Sequence, residues 1–478
     1  MYLSKRFAAL PRRQKLLARI ALYGGLAAVF GLVALTISYF ARPLIQGRDS
    51  IGNLAELRET EEVKLLQEYI QIDTSPSTGS EFDGALFLAE QLRKGGLEPH
   101  IERFGEDKAN LWAILEGETD EAIVLHNHID VYPAGDPEHW DFPPFGGVID
   151  KAWIYGRGAF DMKSLAIAQL MAIVDLALGE ERPRNTIIFL ASGSEEVGSD
   201  LGSKWILANH PALADRFSIV LTEGGVIEAI THENIKYWGV EFAQKWFAEG
   251  WACATTRERL EALRDDLNQI SDSSFELRIT PEIQDFVLAY GGSRGSEKTQ
   301  KMLDDLLVTM DHADQFNALP PYLKSLFRDE TAPFEIEPDP EADGYRMRIL
   351  LHLLPGSDFE EVKKALLPDW ATMGVSLVFA PPLGADHGSP IDHPAYQILV
   401  DSLQEAHPQA TVGPYFLAWS ATDARFFRQA GTPTYGFSPF LIFVTDTFRR
   451  DTLNERIDLR GFVEGVDLYN RVVRRLAG

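Results

Sequence analysis

From residue 54 onward the hydrophobic positions of this chain switch between two spacings. Leu54, Leu57, Val63, Leu66 and Ile70 recur at helical intervals, as do Ala85, Leu88, Ala89 and Leu92, and Gly95-Gly96 ends the second helix as a glycine cap. Continuous apolar runs at 110–115, 122–125, 186–191 and 218–221 read as buried strands, with a helix predicted over 163–178. Alternating strands and helices predict an α/β domain built on a mixed, mainly parallel sheet flanked by helices.

The middle of the chain has a different rhythm. Residues 237–255 read as strand, 257–270 as helix, 275–279 as strand, 297–310 as helix and 345–354 as strand. Two strand–helix units before a last strand suit a small α+β insert. Pro338, Pro340 and their acidic neighbours read as a solvated loop. Residues 375–380, 434–437 and a helix after Ile457 return to the first domain. The expected boundaries are 54–236 and 371–478 for the main domain and 237–370 for the insert.

Upstream, residues 20–41 are uncharged and would span about 33 Å as a helix, enough for a bilayer core. Lys5, Arg6, Arg12, Arg13, Lys15 and Arg19 precede them, which predicts a cytoplasmic segment 1–19, a transmembrane anchor 20–41 and a stalk 42–53. The rest of the chain is then expected outside the cytoplasm.

Composition narrows the picture. A chain of 478 residues calls for two or more domains. The net charge of -26 argues against a nucleic-acid partner, which needs a basic face. Cys253 is the single cysteine, so an internal disulfide and a cysteine-cluster zinc site are both excluded; in its strand-like stretch it reads as a small buried hydrophobe.

Candidate chemistry gathers after the apolar runs. His128 and Asp130 follow the run at 122–125, Glu195 and Glu196 the run at 186–191, and Glu223 the run at 218–221. Asp161 follows the glycine-rich Gly156-Arg157-Gly158-Ala159 and precedes the helix at 163. Strand ends are where α/β enzymes build their sites. A His among several carboxylates suits zinc or a similar divalent ion. Metal-assisted amide hydrolysis needs terminal ligands, a bridging carboxylate and one further carboxylate to move a proton. His128, Asp161 and Glu223 fill the ligand roles. Adjacent Glu195 and Glu196 point opposite ways if extended, so one binds metal and the other faces the water; spacing alone does not say which.

Together with Pro144-Phe145, Thr422-Asp423-Ala424-Arg425 and Asn454-Glu455-Arg456-Ile457, these segments resemble the co-catalytic zinc aminoacylase and carboxypeptidase family. That family includes acetylornithine deacetylase, succinyl-diaminopimelate desuccinylase, glutamate carboxypeptidase and aminoacylase. The resemblance is greatest to its carboxypeptidase S and N-acyl-amino-acid hydrolase branch, and it runs from about Leu54 to the C-terminus. It implies two divalent ions, zinc with manganese or cobalt as alternatives. His128 and Glu223 would bind one, Glu196 the other, and Asp161 both. Asp130 would orient His128, and Glu195 would act as general base and then acid. His352, Thr422 and Asp423 would contact substrate, a small N-acyl amino acid or short peptide. The insert would be a ferredoxin-like lid through which a homodimer forms.

The chain also departs from that family. The last metal ligand, a His three residues before Asn454, is Asp451 here. Asp also binds zinc, but its charge weakens the ion as a Lewis acid and favours a harder metal. The family's lid His is missing, since Gly250 is followed by Trp251, and the Arg before its Pro-Gly turn is His352. A non-enzymatic relative that keeps the fold as a binding or scaffold protein is the alternative these changes favour. His126 is expected beside the core, not on the metal. Trp238, Trp246, Phe247 and Trp251 read as strand core or dimer edge.

Overall fold

Ile187, Ile188, Phe189 and Leu190 are all fully buried, and that is why their segment reads as continuously apolar. A strand covered on both faces has no solvent side to mark with polar residues. The computed structural model describes residues 51–478 apart from 77, 274–276, 293–307, 309–315, 317–323, 341, 367–369, 371, 381–387, 419 and 448. The expected cytoplasmic segment, anchor and most of the stalk lie outside the described residues. Among the described residues, no helix is long and apolar enough to cross a membrane. Helix Ile51–Leu57 belongs to an N-terminal unit, and Arg58–Gly478 forms a second.

Within the second unit, helices Glu61–Ile70 and Glu81–Lys94 lead to strands β1 (His100–Phe104), β2 (Lys108–Leu115) and β3 (Thr119–His128). Short β4 (Val148–Asp150) and β5 (Trp153–Tyr155) precede helix Lys163–Leu178. Then come β6 (Asn185–Ser192), β7 (Phe217–Thr222), β8 (Val226–Thr231) and β9 (Asn234–Gln244). The middle holds β10 (Trp246–Ala254), β11 (Glu330–Pro338), β12 (Tyr345–Leu353) and β13 (Val375–Phe379). The chain closes with β14 (Val412–Leu417), β15 (Thr434–Gly436), β16 (Arg456–Asp458) and helix Leu459–Ala477.

The largest sheet has the order β1-β2-β6-β3-β7-β15-β9-β14, with β8 on β9. It is mixed, and its centre is parallel: β6, β3, β7 and β15 all run the same way. The register sets His128 beside Ser192 and Leu125 beside Leu221. The carboxyl ends of β3, β6 and β7 therefore lie side by side. Helix Lys163–Leu178 is buried along most of its length and packs against helix Leu459–Ala477. Gln169 on the first donates to the His126 carbonyl at 2.9 Å and to the Tyr469 hydroxyl at 3.2 Å, tying both helices to β3.

A second sheet of order β11-β12-β10-β13 is wholly antiparallel. With helices Arg257–Ser273 and Phe359–Leu366 it has the βαββαβ connectivity and strand order of a ferredoxin-like fold. Its core includes Trp246, Leu260, Leu263, Met347, Ile349 and Leu351. β4, β5 and β16 make a small third sheet.

Two expected boundaries move. The strand expected over 237–255 is two strands that part at Lys245: β9 joins the large sheet and β10 the second. Lys245 is fully buried there, its Nζ at 3.0 Å from Glu330. The strand expected at 375–380 to return to the main domain is β13, which pairs with β10 instead. Residues 277–279 form no strand, residues 274–276 and most of the helix expected at 297–310 lie outside the described residues, and β11 extends to Pro338. Cys253 is half-buried, not buried, because it faces outward from β10. The four aromatic residues divide: Trp238 is buried in the large sheet and stacks on His407, Trp246 lies in the core of the second, Phe247 is half-buried on β10 beside His352, and Trp251 lies under the Arg346 guanidinium.

Candidate active site

His128 ends β3, fully buried, with its imidazole held from both sides. Its Nδ1 lies 2.8 Å from the Asp130 carbonyl, and its Nε2 lies 3.1 Å from Asp161 Oδ1 and 3.7 Å from Glu223 Oε1. The carbonyl fixes Nδ1 as the donor, which leaves Nε2 directed at the two carboxylates. Burial disfavours the imidazolium, but the hydrogen bond to Asp161 and the charges of Glu223 and Glu195 override it and raise the His128 pKa well above its ordinary value.

The chain turns sharply after β6. Ser194 and Ser199 adopt left-handed φ values of 62° and 63°, and Gly198 one of 102°. A Cβ on Gly202 would lie 2.0 Å from the Gly193 carbonyl oxygen, so the loop doubles back on itself as only glycine allows. Glu195 and Glu196 sit in a 3-10 turn of this loop. Asp130 fixes the turn: its Oδ1 accepts the Glu195 N–H and its Oδ2 the Glu196 N–H, each at 3.0 Å.

Asp161 comes from the loop between β5 and helix Lys163–Leu178. Fully buried Glu455 holds that loop, accepting the backbone N–H groups of Phe160 at 2.8 Å and Asp161 at 3.1 Å on one oxygen. Its other oxygen accepts Arg157 Nη1 at 2.5 Å. Asp451 lies four residues before Glu455 in a left-handed conformation, φ 55°, and its carbonyl accepts Arg157 Nη2 at 3.2 Å.

Two ligand sets result. His128, Asp161 and Glu223 form one; Asp161, Glu196 and Asp451 form the other, each with ligand atoms within 4.8 Å of one another. Asp161 belongs to both, and Glu195 to neither. The turn sets Glu196 beside Asp161 and Asp451 and leaves Glu195 outside both sets.

The electrostatics of these sets favour a cation. Burial and then Asp161, Glu195 and Asp451 drive Glu196 up to about 10. Burial and Asp161 push Asp451 up to about 7, while burial and Asp161 hold Glu223 well above its usual range. Burial, Asp423 and Asp130 raise Glu195 to about 8 against the opposing charges of His128 and Arg425. Burial alone would raise Asp161 too, but the His128 hydrogen bond, the His128 charge and Arg450 bring it down to about 2. Glu196 Oε1 and Asp451 Oδ1 are buried without a hydrogen-bond partner among the described residues. Buried carboxylate oxygens need either a proton or a cation. The donor set, one imidazole and four carboxylates, suits divalent ions.

The three residues expected to contact substrate lie outside both ligand sets. Asp423 is buried, accepting from Ser199 and, at 2.6 Å, from Ser203, with His126 Nε2 at 3.7 Å. Thr422 is buried and paired with Gln244 at the end of β9, its N–H donating at 3.0 Å. Both brace the loop after β6 and the end of β9, since short polar side chains can satisfy such buried turns. His352 lies on β12 in the second sheet, its ring 4.4 Å from Phe247, and burial pushes its pKa down to about 4. His126 bonds Thr222 and Ser192 at 2.8 and 2.9 Å and belongs to neither ligand set.

Arg450 was not singled out in the sequence. Its guanidinium lies 3.6 Å from Asp161 and 3.3 Å from Asp451. Next to Arg449 it reads as ordinary surface charge; only the fold turns it inward. Glu455 was seen as part of a motif, but its grip on the Asp161 loop follows from a contact across most of the chain.

Known proteins resemble this chain in sequence and in fold. The sequence signature of peptidase family M20/M25/M40 matches residues 124–475, which includes every residue of both ligand sets. The chain is 36% identical over 157 residues to a succinyl-diaminopimelate desuccinylase of Ehrlichia canis, a match covering 31% of this chain and 40% of that protein. It thus spans about two fifths of the length of that relative. Against aminoacylase-1B of Rattus norvegicus it is 26% identical over 367 residues, 74% of this chain and 80% of the other. The M20 family metallo-carboxypeptidase Sso-CP2 of Sulfolobus solfataricus has a similar fold, with a TM-score of 0.64 at 16% identity over 87% of this chain and 99% of that one. With the sequence signature matching residues 124–475, the chain belongs to peptidase family M20/M25/M40.

Proposed function

We propose that the protein cleaves the amide bond of a small N-acyl amino acid or short peptide with two divalent ions, zinc, manganese or cobalt, held by the two ligand sets. The observation that carries this is the shared Asp161, which joins a His-Asp-Glu set to an Asp-Glu-Asp set while Glu195 stays outside both. The ions, when bound, would polarise the amide carbonyl and acidify a water. Glu195 would take a proton from the water on its carboxylate and return it to the leaving nitrogen. Asp130 keeps Glu195 and Glu196 in register through their N–H groups. The Asp130 carbonyl accepts from His128 Nδ1 and leaves Nε2 directed at Asp161 and Glu223, its partners in the first ligand set.

The ferredoxin-like sheet acts in this reading as a lid, and its edge strands β11 and β13 as a homodimer contact. Support comes from Arg425, whose guanidinium lies 6.0 Å from the Phe247 ring on β10 while its charge reaches Glu195. Residues 20–41 anchor the chain, with the hydrolase outside the cytoplasm, as the basic cluster before them supports.

The test is the full chain supplied with zinc, manganese or cobalt in turn, assayed against N-acyl amino acids and dipeptides alongside metal analysis. Two ions per chain and turnover of one substrate class are expected. A folded, metal-supplemented protein that binds none would refute the reading. A reporter fused after Ser50 should score as extracytoplasmic, and a cytoplasmic score would reverse the topology.

A further inference from the structure

Asp451 brings a third carboxylate to a ligand set that already holds Asp161 and Glu196. The structure supplies a cation at the same place. Arg450 lies 3.3 Å from Asp451 Oδ2 and 3.6 Å from Asp161 Oδ2, and its Nη2 donates to Ser420 Oγ at 3.1 Å. These contacts leave Asp451 Oδ1 without a partner, and Glu196 Oε1 likewise. One oxygen of Asp451 thus faces the guanidinium while the other remains free for a metal.

We infer that Arg450 is a built-in counter-charge for the second metal site, so that the Arg450–Asp451 pair contributes the zero net charge of a neutral imidazole. This rests on the two-metal reading above. In a half-buried setting a fixed cation this near a divalent ion weakens its binding strongly, because Coulomb energies there are several times those in water. The pair therefore keeps the second ion from binding too tightly and preserves its strength as a Lewis acid, which Asp451 alone would lower. Arg450 acts through Asp451 and through its field, and is a positioning residue, not one that touches substrate.

Calorimetric titration of the chelator-stripped full chain with Mn²⁺ tests this. Wild type should bind two ions. Arg450→Met, which keeps length and loses charge, should bind the second at least about tenfold more tightly, and Arg450→Lys should match wild type within about twofold. Asp451→His leaves the Arg450 charge unbalanced and should bind the second ion at least about tenfold more weakly; Arg450→Met/Asp451→His should recover it. An unchanged or weaker second affinity in Arg450→Met, with two ions still bound by wild type, overturns this inference and leaves the hydrolase reading standing. One ion in wild type and two in Arg450→Met would show the guanidinium occupying the second site, which also overturns it. No ion bound by wild type overturns both.

Discussion

Glu455 accepts the backbone N–H of Asp161 across 294 positions of sequence. The carboxylate that serves both ligand sets is thereby positioned by the opposite end of the chain. Glu455 and its partner Arg157 are both essentially inaccessible to solvent. Removing one member of a buried ion pair strands the other, at a cost of about 3–5 kcal/mol. Glu455→Gln should lower unfolding free energy by about that amount in urea titrations and reduce bound metal. Unchanged stability would show that Arg157 finds another partner.

Asp130 belongs to neither ligand set, yet it touches a member of each, His128 and Glu196, and should matter nearly as much as a ligand. Asn in its place keeps one acceptor oxygen and turns an NH₂ group toward an N–H. Asp130→Asn should lose about 10–100-fold in kcat/KM or metal affinity, as groups that orient metal ligands do. Steady-state kinetics with metal analysis would decide, and near-wild-type values would remove Asp130 from this role.

Glu195→Gln separates proton transfer from metal binding. Since Glu195 belongs to neither ligand set, the variant should keep its metal while kcat falls by about 10²–10⁴. Loss of metal along with activity would mean that Glu195 is a ligand.

Glu196 makes the metal-free protein sensitive to alkali. In the unfolded chain its carboxyl ionises near pH 4.3, but in the fold it keeps its proton until about 10. Between those values the folded state holds more protons than the unfolded chain, so stability falls through this group as pH rises. In chelator-treated samples, the difference in stability between Glu196→Gln and wild type should move steadily in the variant's favour from pH 5 upward. Metal uptake should release protons, visible as calorimetric heats that change with buffer ionisation enthalpy. A pH-independent difference would mean that Glu196 ionises normally.

Much of the large sheet was legible because its central strands are buried on both faces, so β3, β6 and β7 each print an apolar run ending at a polar chemistry-bearing segment. Helix Lys163–Leu178 was legible through its length and apolar character. The junction at Lys245 was not, because β9 and β10 are separated by one residue and nothing local says that they enter different sheets. β13 was assigned to the wrong sheet for the same reason: pairing is a property of the partner strand. At the site, residue types at strand ends identified the ligand candidates, but the division between Glu195 and Glu196 came from a turn that Asp130 fixes. The motif around Thr422 and Asp423 marks them as noteworthy but not what they touch: their partners, Gln244 and the serines of the loop after β6, come from 178 to 224 residues away.

The hold of Glu455 on Asp161 also bears on synthesis. His128, Asp161, Glu196 and Glu223 are all translated before β14 and β15, and Asp451 and Glu455 follow those strands. A chain interrupted before residue 451 would carry four of the five residues of the two ligand sets, yet its Asp161 loop would lack the Glu455 anchor.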